Sequence, residues 1–146
     1  MHIGTETIQA QEIITALEKA KTLILATCAD HRVTIRPMSH VNDGLNVYFQ
    51  TGRDYLKMQQ IRINPNVALC VGDYEIEGVA TVVGHPMDEA NRFFAEKMQE
   101  KHPGAFARYA SLAEEVVVKV KITLVRVWRY VDGKPVIAVG NFGGMA

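Results

Sequence analysis

"VTIRPMSHVNDGLNVYFQT" (residues 33–51) reads as two strands around a tight turn. In its first half Val33, Ile35 and Pro37 alternate with Thr34, Arg36, Met38 and His40, so the two sets fall on opposite faces of a strand. Asn42-Asp43-Gly44 carries the residues a hairpin turn demands, and "LNVYFQT" is the return strand. The same pairing recurs along the chain. "TLILATCA" (22–29) precedes the hairpin across a tight Ala29-Asp30 turn, and its continuous apolar run reads as a strand buried on both faces. "NVALCVGD" (66–73) and "EIEGVATVVGHP" (75–86) form another pair. Residues 115–142 read as a long strand, a turn near Asp132-Gly133 and a last strand.

Helices are few. Residues 5–20 place Ala10, Ile13, Ile14, Leu17 and Ala20 on one stripe, with Thr5 as the expected cap and Glu6 in the first turn. "DYLKMQQIRINP" (54–65) has helical spacing and stops at Pro65. A third helix is expected from Met87, with Ala90, Phe93, Phe94 and Met98 inward, broken by His102-Pro103-Gly104. A short fourth carries Phe106, Tyr109, Ala110 and Ala113. A doubly wound parallel sheet needs a crossover helix between most strands, so that architecture is excluded. The pattern predicts a mainly β (α+β) protein: an antiparallel barrel or sandwich with helices outside it or over one end.

The bulk numbers bound the function. The chain has 146 residues, 48% hydrophobic and 22% charged, which predicts one domain over residues 1–146 with a core of its own. Lys plus Arg equals Asp plus Glu at 16 each, and a neutral chain argues against nucleic acid as the main partner. Cys28 and Cys70 lie in apolar runs and are expected to be small buried hydrophobes, with neither disulfide nor metal. No apolar run is long enough to span a membrane and no leader pattern is visible, so a cytoplasmic protein is expected.

One strand breaks its own pattern. Lys119, Lys121 and Thr123 alternate against Val118, Val120 and Ile122, and then both faces turn apolar around Val125, Val127 and Trp128. A bulge or a covering helix explains this. So does a subunit interface, where Trp and Arg are favoured.

The junction at Gln50-Thr51-Gly52, with Lys57 one turn into the next helix, carries the candidate chemistry. A strand end feeding a helix offers backbone N–H groups, a hydroxyl and a cation to an anion such as a terminal phosphate. A solvated turn with surface cations is the alternative. The run is neither a Walker loop nor a dinucleotide fingerprint. Arg36 stands mid-strand nearby, and Pro37 beside it marks an edge or a bulge.

"VTIRPMSHV", "LNVYFQTGRDYLKMQQIRINPNVAL" and "EGVATVVGHP" in this order resemble the pyridoxamine 5′-phosphate oxidase-like family of FMN-binding split barrels, its short general-stress-type branch above all. The resemblance is strong over about half of the chain, residues 22–86. It implies an antiparallel Greek-key split β-barrel, a homodimer, and FMN at the subunit interface. Arg36 and Lys57 would hold the phosphate, Gln50 and Thr51 would line the same region, and Pro37, Met38 and Ser39 would run along the ring. Trp128, with Arg126 and Arg129, would line the partner's flavin site or else serve packing. The chain departs from the classical oxidases at Tyr55, Leu56 and Asp73, and it lacks their C-terminal arginine- and histidine-containing segment. FMN binding is therefore expected rather than oxidation of the pyridoxine vitamers. The expected activity is FMN-dependent transfer of hydride or electrons to a small molecule, with no catalytic acid or base assigned. A deazaflavin reductase and a non-catalytic flavin or haem sensor are the alternatives, and His40 is the only histidine on a plausible inner face.

Overall fold

The computed structural model describes residues 3–144, so His2 lies outside the described residues. Its nine strands are β1 (Gly4–Thr7), β2 (Thr22–Ala29), β3 (Arg32–Ser39), β4 (Val41–Asp43), β5 (Asn46–Gly52), β6 (Asn66–Val71), β7 (Tyr74–Val82), β8 (Glu115–Val131) and β9 (Lys134–Asn141). Four helices accompany them: α1 (Ala10–Lys19), α2 (Leu56–Ile63), α3 (Arg92–Lys101) and α4 (Pro103–Tyr109). The main path of the sheet runs β1-β9-β8-β7-β6-β2-β3, and β5 joins β8 and carries β4. The long β8 organises the fold. Along one edge its first half pairs with β5 and its second half with β9, while β7 runs along the other edge. The result is a split barrel whose sheet does not close.

The broken alternation in β8 is a bulge. Glu77 faces Leu124 but Gly78 faces Ile122, so Thr123 is the extra residue and the inward set changes parity there. Gly78 is required at this spot, because a Cβ would lie 2.6 Å from Val120 Cγ1 and 2.9 Å from the Lys121 carbonyl oxygen. The apolar run at the start of β8 is covered on both faces. Val118 and Val120 enter the barrel core with Phe49, Met58 and Leu25. Val117 packs with Phe94, Met98 and Phe106 of α3 and α4.

Several expectations are corrected. The first helix starts at Ala10, not near Thr5, because Gly4–Thr7 is taken by a parallel pairing with β9. Gln9, not Thr5, is its N-cap, with no side-chain hydrogen bond. Residues 33–51 do not form one long hairpin: β3 pairs with β2, and only Val41–Asp43 pairs back onto β5. β2 is buried on one face only, for Ile24 is 38% exposed, and the same open face leaves Cys70 exposed and Cys28 half-buried. Met87, Phe93 and Tyr109 are exposed rather than core, since a 3-10 turn at Glu89–Asn91 precedes α3 and shifts its stripe to Phe94 and Met98. His40 is fully buried. Pro37 does sit on the edge strand β3, the place in a sheet where proline is tolerated. Among the described residues, no helix is long and apolar enough to cross a membrane.

Candidate functional site

The inward face of β3 carries Thr34, Arg36 and Met38 against β2 and α2. Thr27 faces Thr34 across the β2–β3 ladder, and Leu25 faces Arg36. Arg36 Nη1 donates to Thr27 Oγ1 at 2.8 Å and to the Leu25 carbonyl at 3.3 Å, and Nη2 donates to Thr34 Oγ1. Gln60 of α2, buried, lies beneath both threonines. Its Oε1 accepts from Thr27 Oγ1 at 2.5 Å and from Thr34 Oγ1 at 2.6 Å, and its Nε2 donates to the Arg32 carbonyl at 3.0 Å. A guanidinium has about five N–H donors. Three serve these bonds, leaving Nε–H and one Nη2–H open.

Lys57 stands on the same face of α2, three residues before Gln60. Its Nζ donates to Thr51 Oγ1 at 2.9 Å and lies 4.9 Å from the centroid of the Tyr55 ring. Burial lowers the Lys57 pKa, the Arg36 charge lowers it further, and Glu115 opposes both. Burial also lowers the Arg36 pKa. The two cations thus feel each other, and among the described residues neither has a carboxylate within 4.0 Å. Glu115 is buried at the rim, where burial raises its pKa above the usual carboxylate range. Gln50 Nε2 donates to Glu115 Oε1 at 3.3 Å, while Gln50 Oε1 is buried without a partner. The arrangement is chemically suited to an anion: two partly desolvated cations, open N–H donors and, among the described residues, Glu115 as the one acidic group acting on Lys57.

The structure brings Arg36, Thr51 and Lys57 together in this cradle, whereas Gln50, on the opposite face of β5 from Thr51, is linked to it only through Glu115. Met38 packs against the barrel core, Ser39 is half-buried at the end of β3, and Pro37 is exposed on the outer face. Trp128 is not brought to the cradle of its own chain: it lies in the second half of β8, opposite Ile137 of β9, whereas only the first residues of β8, from Glu115, run beside Thr51. Arg126 and Arg129 are already ion-paired, the first with Glu77 at 2.9 Å and the second with Glu6 and Glu12 at 3.0 and 2.7 Å. Arg53 is exposed and pairs with Glu114 at 2.6 Å. His40 faces away from the cradle, toward the Leu17 carbonyl of α1. Sequence reasoning missed Gln60, Thr27 and Glu115. The available signal for Gln60 was a polar residue set between Met58 and Ile61 on a buried stripe.

The model of the pyridoxamine 5′-phosphate oxidase family matches residues 9–129, and the chain belongs to that family. It is 34% identical over 68 residues to general stress protein 26 of Bacillus subtilis (strain 168), a match covering 47% of this chain and 48% of that protein. The chain therefore spans about half the length of the curated relative it matches. The fold is similar to that of a putative pyridoxamine 5′-phosphate oxidase from Listeria innocua, with a TM-score of 0.65 and 23% identity over 81% of this chain and 96% of that one. It is also similar to an F420 reductase, with a TM-score of 0.62 and 24% identity over 76% of this chain and 93% of that one.

Proposed function

We propose that this protein binds FMN, as a homodimer, and transfers hydride or electrons between the flavin and a small molecule. One observation carries the reading: Arg36 and Lys57 converge, partly desolvated, with open donors and, among the described residues, no carboxylate within 4.0 Å. Such a pair is costly to hold without an anion, and a flavin phosphate answers it with charge-assisted hydrogen bonds. The residues therefore fit the group the family implies. Lys57 and Arg36 would hold the phosphate, Gln50 and Thr51 would border it, and the backbone of Pro37, Met38 and Ser39 would lie along the ring edge. When bound, FMN supplies the hydride chemistry. The chain's own part is to anchor the phosphate, orient the ring and keep water from its covered face.

The outer face of β2, β3 and β6 supports the dimer. Val33 and Ile35 are 66% and 68% exposed. Together with Ile24, Ala26, Ala68 and Cys70, Ile35 borders a shallow hollow of about 290 Å³. An open apolar sheet face of this kind marks a protein interface. Trp128 and Tyr130, 50% and 75% exposed, would reach the partner's cofactor from there. Ile35→Glu is expected to convert dimer to monomer in sedimentation, and an unmodified protein that sediments as a monomer would refute the dimer.

The direct test of the cofactor is the visible spectrum of the purified protein, with the released molecule identified by mass. FMN is the expected result. A deazaflavin in its place, or a colourless protein that takes up no added FMN, would overturn the assignment.

A further inference from the structure

We propose that Gln60 is a positioning residue, one that fixes the aim of the Arg36 guanidinium at a phosphate through Thr27 and Thr34. This rests on the flavin-phosphate reading and adds to it.

Arg36 has only donors, so the oxygens of Thr27 and Thr34 must accept from it. Each threonine then has one hydroxyl proton to give elsewhere. Both protons end on Gln60 Oε1, at 2.5 and 2.6 Å, and a carbonyl oxygen has room for the two. The Thr27–Thr34 contact of 3.2 Å is left without a proton of its own. The amide of Gln60 is not free to turn over, because Nε2 donates to the Arg32 carbonyl at 3.0 Å. Turned over, it would set Oε1 against that carbonyl and an NH₂ group against two hydroxyls that already accept. Every proton from Arg36 to Arg32 therefore has one place. A planar guanidinium held at three N–H groups points its remaining two in fixed directions.

The helix completes the device. Lys57 and Gln60 are three residues apart on one face of α2, so the same turn that presents the ammonium also locks the guanidinium. The spacing of the two cations is thus set by one rigid element, which is what a ligand with several oxygens requires. An apolar residue at position 60 would leave both hydroxyl protons without their acceptor and would free the arginine to swing.

The test compares FMN with riboflavin, which has the same ring and no phosphate. Affinities for both would be measured by flavin fluorescence on the unmodified protein and on Lys57→Ala, Gln60→Leu and Thr34→Val. The preference for FMN over riboflavin is expected to fall about tenfold in Gln60→Leu and several-fold in Thr34→Val, the riboflavin affinity staying constant. A preference lost in Lys57→Ala but kept in both Gln60→Leu and Thr34→Val would overturn the inference alone. So would a parallel loss of both flavins in Gln60→Leu, which is the mark of a merely structural role. An unmodified protein with no preference for FMN would overturn the flavin-phosphate reading itself. Should Gln60→Leu not fold, Thr34→Val decides: an unchanged preference there counts against the inference.

Discussion

Arg36 and Lys57, between β3 and α2, form one partly buried basic cluster; His40, Lys101 and His102, between α1 and the α3–α4 joint, form another. Both are desolvated, and burial lowers the pKa of every member. They differ in where their protons go. His40 Nε2 lies 2.9 Å from the Leu17 carbonyl, and Lys101 Nζ donates to the same oxygen at 3.3 Å. His102 Nε2 donates to the His40 carbonyl at 3.0 Å. Leu17 lies in the last turn of α1, where carbonyls have no partner within the helix. The second cluster is therefore a C-terminal cap, closed on backbone oxygens. The first cluster keeps donors in reserve. Under the proposed phosphate reading, what sets Arg36 and Lys57 apart from the capping cations is the count of unfilled N–H groups, not charge or burial.

The difference implies the largest effect on stability. Burial holds the His40 pKa down to about 4 from 6.5, and its Nδ1 has no partner to receive a new proton. The folded chain thus refuses a proton that the unfolded chain takes up below pH 6.5. Stability should be full above that pH and should fall as the pH drops toward about 4, by roughly 3 kcal/mol if His40 alone is counted. The depressed pKa of His102 acts in the same direction. Urea midpoints between pH 7 and pH 4.5 would measure the fall. His40→Gln keeps a donor for Leu17 but does not titrate, so it should flatten the profile.

Next in size is a pair of opposed effects. Lys57→Ala should weaken FMN by roughly 2 kcal/mol without lowering the thermal midpoint, since it relieves repulsion with Arg36. Lys101→Ala should lower stability by about 1 kcal/mol through loss of the cap, with FMN affinity unchanged. Parallel calorimetric titrations and melts of both variants would check this, and identical behaviour would erase the distinction between the clusters. The smallest effect belongs to Arg53. Its pair with Glu114 is exposed, so Arg53→Ala should change stability by no more than about 0.5 kcal/mol in a urea titration and leave FMN binding intact.

Much of this architecture follows from period-two alternation. The paired strands, the turn at Gly44 and the parity change in β8 all leave a mark in local sequence. What local sequence does not contain is the identity of the neighbour. β2 reads as doubly buried because its outer residues, Ile24, Ala26 and Cys28, are as apolar as its inner ones, yet the described residues leave Ile24 exposed and Ala26 and Cys28 only half-buried. β1 is too short to carry a pattern, and its pairing with β9 joins residues 132 positions apart, as Gly4 and Val136 show. The candidate site divides in the same way. Arg36, Thr51 and Lys57 stand out as single residues in revealing places. Gln60 acquires meaning only when β2 and β3 bring Thr27 and Thr34 over it. His40 looks like a strand residue until α1 and α3 close around it.

On the proposed function the open donors of Arg36 and Lys57 serve a phosphate. Equilibrium titration of the unmodified protein with FMN and with riboflavin, at low and high salt, tests it most directly. FMN should bind at least about tenfold tighter than riboflavin, with the gap narrowing as salt rises. Equal affinity for the two flavins, or a gap indifferent to salt, would contradict it.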